Sequence, residues 1–284
     1  MGDARQIWLI TNDMSGSNDA PALEAIKQSC EGNALRVAWH TTFPHEDLPS
    51  PAMLDAAGAQ MAVIFAGDGT LNAALDALEG WEGDVLVLPG GTMNLLYHRL
   101  FGDLEIEDAV AAACSGRAKR RQVSIISRDG EDAYAGLLAG PGTAWNTVRE
   151  AMRKTAVVEL ASEAVAAIDE TIGGDFVACE DPELGRREGY PLILLNPRDD
   201  GIEVLAYHAE SAGEYLEQSW ALMKRDFREG PHDELGSTEK VAIASTSGEP
   251  FGVLLDGEPG EDAPRMEFEL VKAGVNLLAT EADG

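Results

Sequence analysis

Up to about residue 100 the chain alternates short apolar runs with segments of helical periodicity. Ile7-Trp-Leu-Ile-Thr11 is the first apolar run, and the polar stretch from Asn12 to Asn18 follows it. Pro21 then opens a helix over 22–30, because proline suits the first helical turn. Residues 35–39 predict a second strand, 52–59 a helix, 61–65 a third strand, 71–78 a helix and 84–88 a fourth strand. Strands alternating with helices predict a parallel sheet with right-handed crossovers. Ligands of such sheets bind beyond the carboxyl ends of the strands, which is where Asn12, Thr41, Asp68 and Thr92 fall.

Beyond a helix over 106–114 the character changes. The densest basic cluster, Arg117-Ala-Lys-Arg-Arg121, leads into the alternating residues 122–127. Short strands are then predicted at 133–138, 176–179, 191–195, 202–207, 240–244, 251–255, 266–271 and 275–279. Asp-Gly turns at 129–130, 200–201 and 256–257 punctuate them, and residues 180–189 read as a polar loop. Helices interrupt at about 143–166 and 212–224. The expected fold is therefore α/β plus mostly β: a parallel-sheet domain over 1–118, then a largely antiparallel domain over 119–284.

The chemistry concentrates at the ends of two strands. The run 61–65 ends in Ala66-Gly67-Asp68-Gly69-Thr70, and the run 84–88 ends in Pro89-Gly90-Gly91-Thr92-Met93-Asn94. Glycines there let backbone approach a ligand closely, and the helix that follows presents its positive N-terminus to an anion. A carboxylate repels phosphate unless a cation intervenes, so Asp68 points to Mg²⁺ as well as nucleotide. The plain alternative is a strand-to-helix turn in which Asp68 caps the helix; the second Gly/Thr turn argues against it. Further along, Asp256-Gly257-Glu258 reads either as a hairpin turn or as a carboxylate pair for proton abstraction and metal or phosphate orientation. Asp199-Asp200-Gly201 reads as a loop or as a cation site built from Asp200 and nearby carbonyls. The cluster 117–121 reads as a solvated strand edge, or as the patch that attracts nucleotide or lipid phosphate.

Charge narrows the partners. Fifty Asp and Glu against 21 Lys and Arg give a formal net charge of −29, which disfavours nucleic acid and tight docking on anionic lipid. Cys30, Cys114 and Cys179 match no metal spacing and read as reduced thiols of a cytoplasmic protein. The histidines, His40, His98 and His208 among them, show no metal spacing either. No signal-like start or membrane-length apolar run is evident, so membrane contact is expected to be peripheral at most. A homodimer is compatible with everything in the sequence.

The chain resembles the diacylglycerol kinase catalytic-domain family, the bacterial lipid kinases related to sphingosine kinases. The resemblance rests on Asn12…Ser15-Gly16, Gly67-Asp-Gly-Thr-Leu-Asn72, Pro89-Gly-Gly-Thr-Met-Asn94, Asp200-Gly-Ile-Glu-Val204 and Asp256-Gly-Glu258. It implies a nucleotide-binding α/β domain followed by a β-sandwich, ATP in the cleft between them, and a last strand or two (about 265–284) returning to the first domain. It further implies nucleotide contacts at Asn12, Thr41, Ala66, Gly67, Asp68, Gly69, Thr70, Leu71, Asn72, Gly91, Thr92 and Asn94. The family's proton acceptor falls on Glu258 with Asp256 beside it, and a Mg²⁺ site falls on Asp200 with the carbonyls of Pro197 and Ile202. Two departures stand out: Ala66 where the family usually has Gly, and Leu95 where it commonly has Asp. The expected activity is ATP- and Mg²⁺-dependent phosphoryl transfer to a lipid hydroxyl. A non-catalytic nucleotide-binding protein is the rival reading; an NAD kinase is disfavoured because Asn94 is followed by Leu95 and not by Glu.

Overall fold

The structure, a computed structural model, describes residues 4–12, 20–91, 93–140, 176–207 and 232–280. The chain divides into two compact units: Met1–Val123 with Lys272–Gly284, and Ser124–Val271. The expected helices at 143–166 and 212–224, the Ser15-Gly16 segment, Thr92 and His208 lie outside the described residues.

In the first unit, β1 (Arg5–Asn12), α1 (Ala20–Gly32), β2 (Leu35–Phe43), α2 (Pro51–Ala57), β3 (Met61–Ala66), α3 (Asp68–Ala77) and β4 (Asp84–Pro89) follow the predicted alternation. Helices α4 (Leu95–Phe101) and α5 (Ile106–Ser115) come next, then β5 (Lys119–Arg121). The sheet runs β2-β1-β3-β4, all parallel, and the chain's last strand, β18 (Asn276–Ala279), then lies between β4 and β5. Every residue of β3 is buried, as a strand covered on both faces requires. Helix α2 starts where Ser50 caps the amide of Met53 and Pro51 fills the first position; it stops at Gly58, whose φ of 69° is left-handed.

Two boundaries of this unit differ from the sequence expectation by three residues or more. Strand β2 runs on to Phe43 instead of ending at Trp39, because His40-Thr-Thr-Phe43 is itself β-branched and aromatic. Helix α3 begins at Asp68 and not at residue 71: Gly67 is its N-cap, and Asp68 places a negative charge in the first turn, where the helix dipole favours it. Of the basic cluster, Arg120 reaches the buried Asp84 at the start of β4, its Nε 2.7 Å from Oδ1, while Arg5 of β1 binds the other oxygen. That part of the cluster fastens the sheet.

The second unit holds β6 (Ser124–Arg128), β7 (Glu131–Ala133), β8 (Leu137–Gly140), β9 (Val177–Asp181), β10 (Glu183–Leu184), β11 (Leu192–Arg198), β12 (Gly201–Tyr207), β13 (His232–Thr238), β14 (Lys240–Ser245), β15 (Gly252–Leu255), β16 (Glu258–Pro259) and β17 (Arg265–Lys272). They form two six-stranded sheets, ordered β10-β9-β14-β17-β6-β7 and β13-β12-β11-β8-β15-β16, with antiparallel pairing throughout the described ladders. Both contribute to one apolar core that includes Ile126, Val177, Ile193, Val204, Ile243 and Phe268. The predicted strand 133–138 is broken in two at Tyr134–Gly136, and β13 and β10 form in polar segments whose periodicity gave no strand signal.

Among the described residues no helix is long and apolar enough to cross a membrane. All three cysteines are free; burial pushes the thiols of Cys30 and Cys179 up to about 12, which leaves them unreactive.

Candidate functional site

The parallel order β2-β1-β3-β4 reverses direction at β1: β2 lies on one side of it, β3 and β4 on the other. Sheets of this kind bind ligands at such a switch point, outside the carboxyl ends of the two central strands. Asn12 ends β1 there, and Gly67-Asp68-Gly69-Thr70 leaves β3 there as the first turn of α3. A hydrogen bond from Asn12 Nδ2 to Thr70 Oγ1, 2.7 Å, spans the switch point and ties the two strand ends together. The first-turn amides of α3 emerge at the same place, where a helix N-terminus favours an anion.

The second Gly turn packs directly on the first. Gly90 donates its amide to the Ala66 carbonyl, 3.2 Å, and a Cβ on Gly91 would come within 2.6 Å of the Gly67 Cα. Only hydrogens fit between these two backbones. Asn94 closes the turn on itself: Oδ1 accepts from the Gly91 amide at 2.7 Å, and Nδ2 donates to the Gly91 carbonyl at 3.0 Å. Its φ of 52° is left-handed, which Asn tolerates better than most residues. Asp68 then joins the two turns, accepting from the amides of Asn94 (3.0 Å) and Leu95 (2.9 Å). Gly91→Ala is expected to force the turns apart. Titration with a fluorescent ATP analogue should show binding weaker by about fivefold to a hundredfold, on the order of the 1–3 kcal/mol that overpacking costs; unchanged affinity would show that the contact is dispensable.

The other expected contacts in this unit have diverse fates. Ala66 is a buried strand residue paired with Pro89 and has no left-handed backbone, so its methyl is accommodated without strain. Leu71 is buried in α3, a packing residue, whereas Asn72 is partly exposed beside it. Gly69 is exposed at the helix start. Thr41 does not end its strand. It is buried within β2, and its hydroxyl accepts from Trp8 Nε1 at 2.9 Å, a bond that ties β1 to β2. His40 is engaged with Thr11 Oγ1 at 2.9 Å, and burial holds its imidazole below the ordinary range. Leu95, where a carboxylate was expected, is buried.

In the second unit, Leu255 and Glu258 close a hairpin whose two turn residues, Asp256 and Gly257, have φ of 50° and 87°. Both values are positive, as a type I′ turn requires. The Asp256 side chain is buried and accepts from three backbone amides: Tyr134 (2.7 Å), Ala135 (2.7 Å) and Gly136 (3.0 Å). Its own amide donates back to the Gly136 carbonyl, 3.0 Å. Asp256, expected beside Glu258 in proton transfer, has its carboxylate on these three amides, and Glu258 is partly exposed. Asp256 and Gly257 thus form the hairpin turn that the sequence allowed.

Asp200 sits with Asp199 in the exposed turn of the β11–β12 hairpin, and Pro197 and Ile202 are cross-strand partners just below it. The three expected Mg²⁺ ligands thus share one hairpin end, and among the described residues no cluster of three or more His, Cys, Asp or Glu could hold a metal. Beneath that turn, Glu203 accepts from Asn196 Nδ2 (3.0 Å) and from Arg198 (2.8 Å), a network the sequence reading missed. The amide cluster at 134–136 was missed as well; Gly136 after an apolar run was its one sequence signal.

Residues 6–126 match the family model of the diacylglycerol kinase catalytic domain. Among solved structures, a protein from Bacillus anthracis str. Sterne provisionally named a diacylglycerol kinase superposes with a TM-score of 0.63 at 15% identity, covering 100% of this chain and 98% of its own. A diacylglycerol kinase from the same organism gives 0.59 at 14% identity, covering 99% and 98%. A third such protein gives 0.58 at 16% identity, covering 97% of both chains. At these identities the similarity is one of fold. No curated protein matches the sequence.

Proposed function

From a chain whose residues 6–126 match the family model of the diacylglycerol kinase catalytic domain, we propose ATP-dependent transfer of a phosphoryl group to a lipid hydroxyl. The observation that carries this reading is the pair of Gly turns locked together at the switch point, Gly67 against Gly91 and Asp68 on the amides of Asn94 and Leu95. Two backbone loops held rigidly beside a helix N-terminus suit a polyphosphate, because fixed amides need not reorganise when charge arrives. ATP, bound at these turns, would supply the phosphoryl group, with Mg²⁺ as its counter-ion.

The donors present suit a nucleotide: the first turn of α3, with Gly69 exposed, and the backbone of the second Gly turn at Gly90 and Gly91. They fit a protein-held Mg²⁺ less well. Asp68 has both oxygens engaged with amides, and Asp200 stands in an exposed turn, so no step is assigned to a metal fixed by side chains. Glu258 takes the proton of the acceptor hydroxyl, and Asp256 fixes the backbone that presents it. As in phosphoryl transfer generally, positioning and electrostatics supply most of the rate.

The partner is a lipid substrate met at the membrane surface, and the site of action is the cytoplasm. Radiolabelled ATP incubated with a total lipid extract is expected to give one labelled lipid. A second reading, a non-catalytic nucleotide-binding protein, is favoured by the buried Leu95 in place of a carboxylate; ATP binding with no labelled lipid would select it.

A further inference from the structure

We propose that Asp68 is a positioning residue that holds the second Gly turn in place, in contrast to its expected role as a ligand of nucleotide-bound Mg²⁺; this rests on the phosphoryl-transfer reading. Helix α4 is short, Leu95–Phe101, and its N-cap is Asn94 in a left-handed conformation with no side-chain cap bond to the helix. An Asn at that position ordinarily satisfies the first helical amides itself. Here its side chain is turned back onto Gly91, both amide and carbonyl, so the capping acceptor must come from elsewhere. Asp68 provides it from the start of another helix, one oxygen to each of the Asn94 and Leu95 amides. The carboxylate thus takes the N-cap and first helical amides of α4, the two just before those that an N-cap side chain ordinarily satisfies.

Charge points the same way. A cation placed on these oxygens would sit against two N–H donors and the positive end of α4, whereas the carboxylate alone is stabilised by them. The cap also fixes the turn's position as a whole. Gly91 already touches Gly67, so the 90–94 segment is held at both ends: by backbone contact at its start and by Asp68 at its finish. Freed from Asp68, the α4 end of the turn would rotate about the Gly67–Gly91 contact and carry the Asn94 and Leu95 backbone with it. The function of the carboxylate is thus to set where the second turn meets phosphate.

Asp68→Asn separates this role from metal binding, because it keeps the shape but sets an –NH₂ group against one of the two amide donors. In the nucleotide-free protein, hydrogen exchange at Asn94 and Leu95 should rise by about tenfold or more, since hydrogen bonds to a charged group are worth at least that factor. Exchange within β3 and β4 should not change. Binding of a fluorescent ATP analogue should weaken by the same factor in Mg²⁺ and in EDTA. Asp68→Glu is the second variant: it keeps the charge and can still reach a cation, but it overreaches the amides, so it should behave like Asp68→Asn. Loss of affinity confined to Mg²⁺, rescue by Asp68→Glu, or unaltered exchange at 94 and 95 would each overturn the proposal. A wild-type protein that binds no nucleotide in either buffer would sink the phosphoryl-transfer reading, and exchange would then decide the cap alone.

Discussion

Asp256→Ala is expected to destabilise the protein by about 3–5 kcal/mol, because it leaves three backbone amides without their acceptor and each orphaned donor costs roughly 1–3 kcal/mol. Part of the loss is recovered as water reaches the vacated space, which is why the sum stops short of its maximum. A non-glycine residue at a φ of 50° adds strain of about 1 kcal/mol once the carboxylate that justified it is gone. Scanning calorimetry should register a fall in melting temperature on the order of 10 °C. Asp256→Asn should fall between, since one oxygen still accepts but the amide group opposes a donor. A melting temperature within about 2 °C of wild type for Asp256→Ala would mean that the 134–136 amides are satisfied by other means.

Glu258→Gln is expected to lower turnover by at least about a hundredfold while ATP affinity stays within about twofold, since a positioned general base contributes 10²–10⁴. The substitution keeps the size and the hairpin pairing with Leu255 but removes the ability to take a proton. Its contrast with Asp256→Ala is the informative part. One variant should lose chemistry and keep stability, and the other should lose stability first. Turnover retained in Glu258→Gln would remove it as the base and return the carboxylate role to another residue of the second unit. The measurement is single-turnover transfer of labelled phosphate at saturating ATP, with calorimetry on the same samples.

Much of the first unit was legible because its signals are local. A buried parallel strand is a continuous apolar run, so 61–65 and 84–88 announced β3 and β4, and the Gly-rich ends of those runs marked where each strand stops. Proline and serine before α2, and Gly58 after it, likewise act within a few residues. The failures were of two kinds. The end of β2 was placed too early because an edge strand can continue through polar β-branched residues that look like its end. The strand 133–138 was read as continuous because nothing near Tyr134–Gly136 shows that their amides leave the ladder for a side chain far along the chain.

The sequence by itself determined the strand-helix alternation, the two Gly turns at neighbouring strand ends and the acidic character of the surface, since each depends on residue type and on spacing within one element. Tertiary structure decided what the carboxylates do. Asp68 finds its amides 26 and 27 positions away, and Asp256 finds its own 120 to 122 positions away. A carboxylate accepts equally well from a cation, a phosphate-bound metal or a backbone N–H, so its identity alone leaves its role open. The partner is set by which strand ends the sheet order brings together, and periodicity encodes the face a residue takes but not the neighbour it meets there.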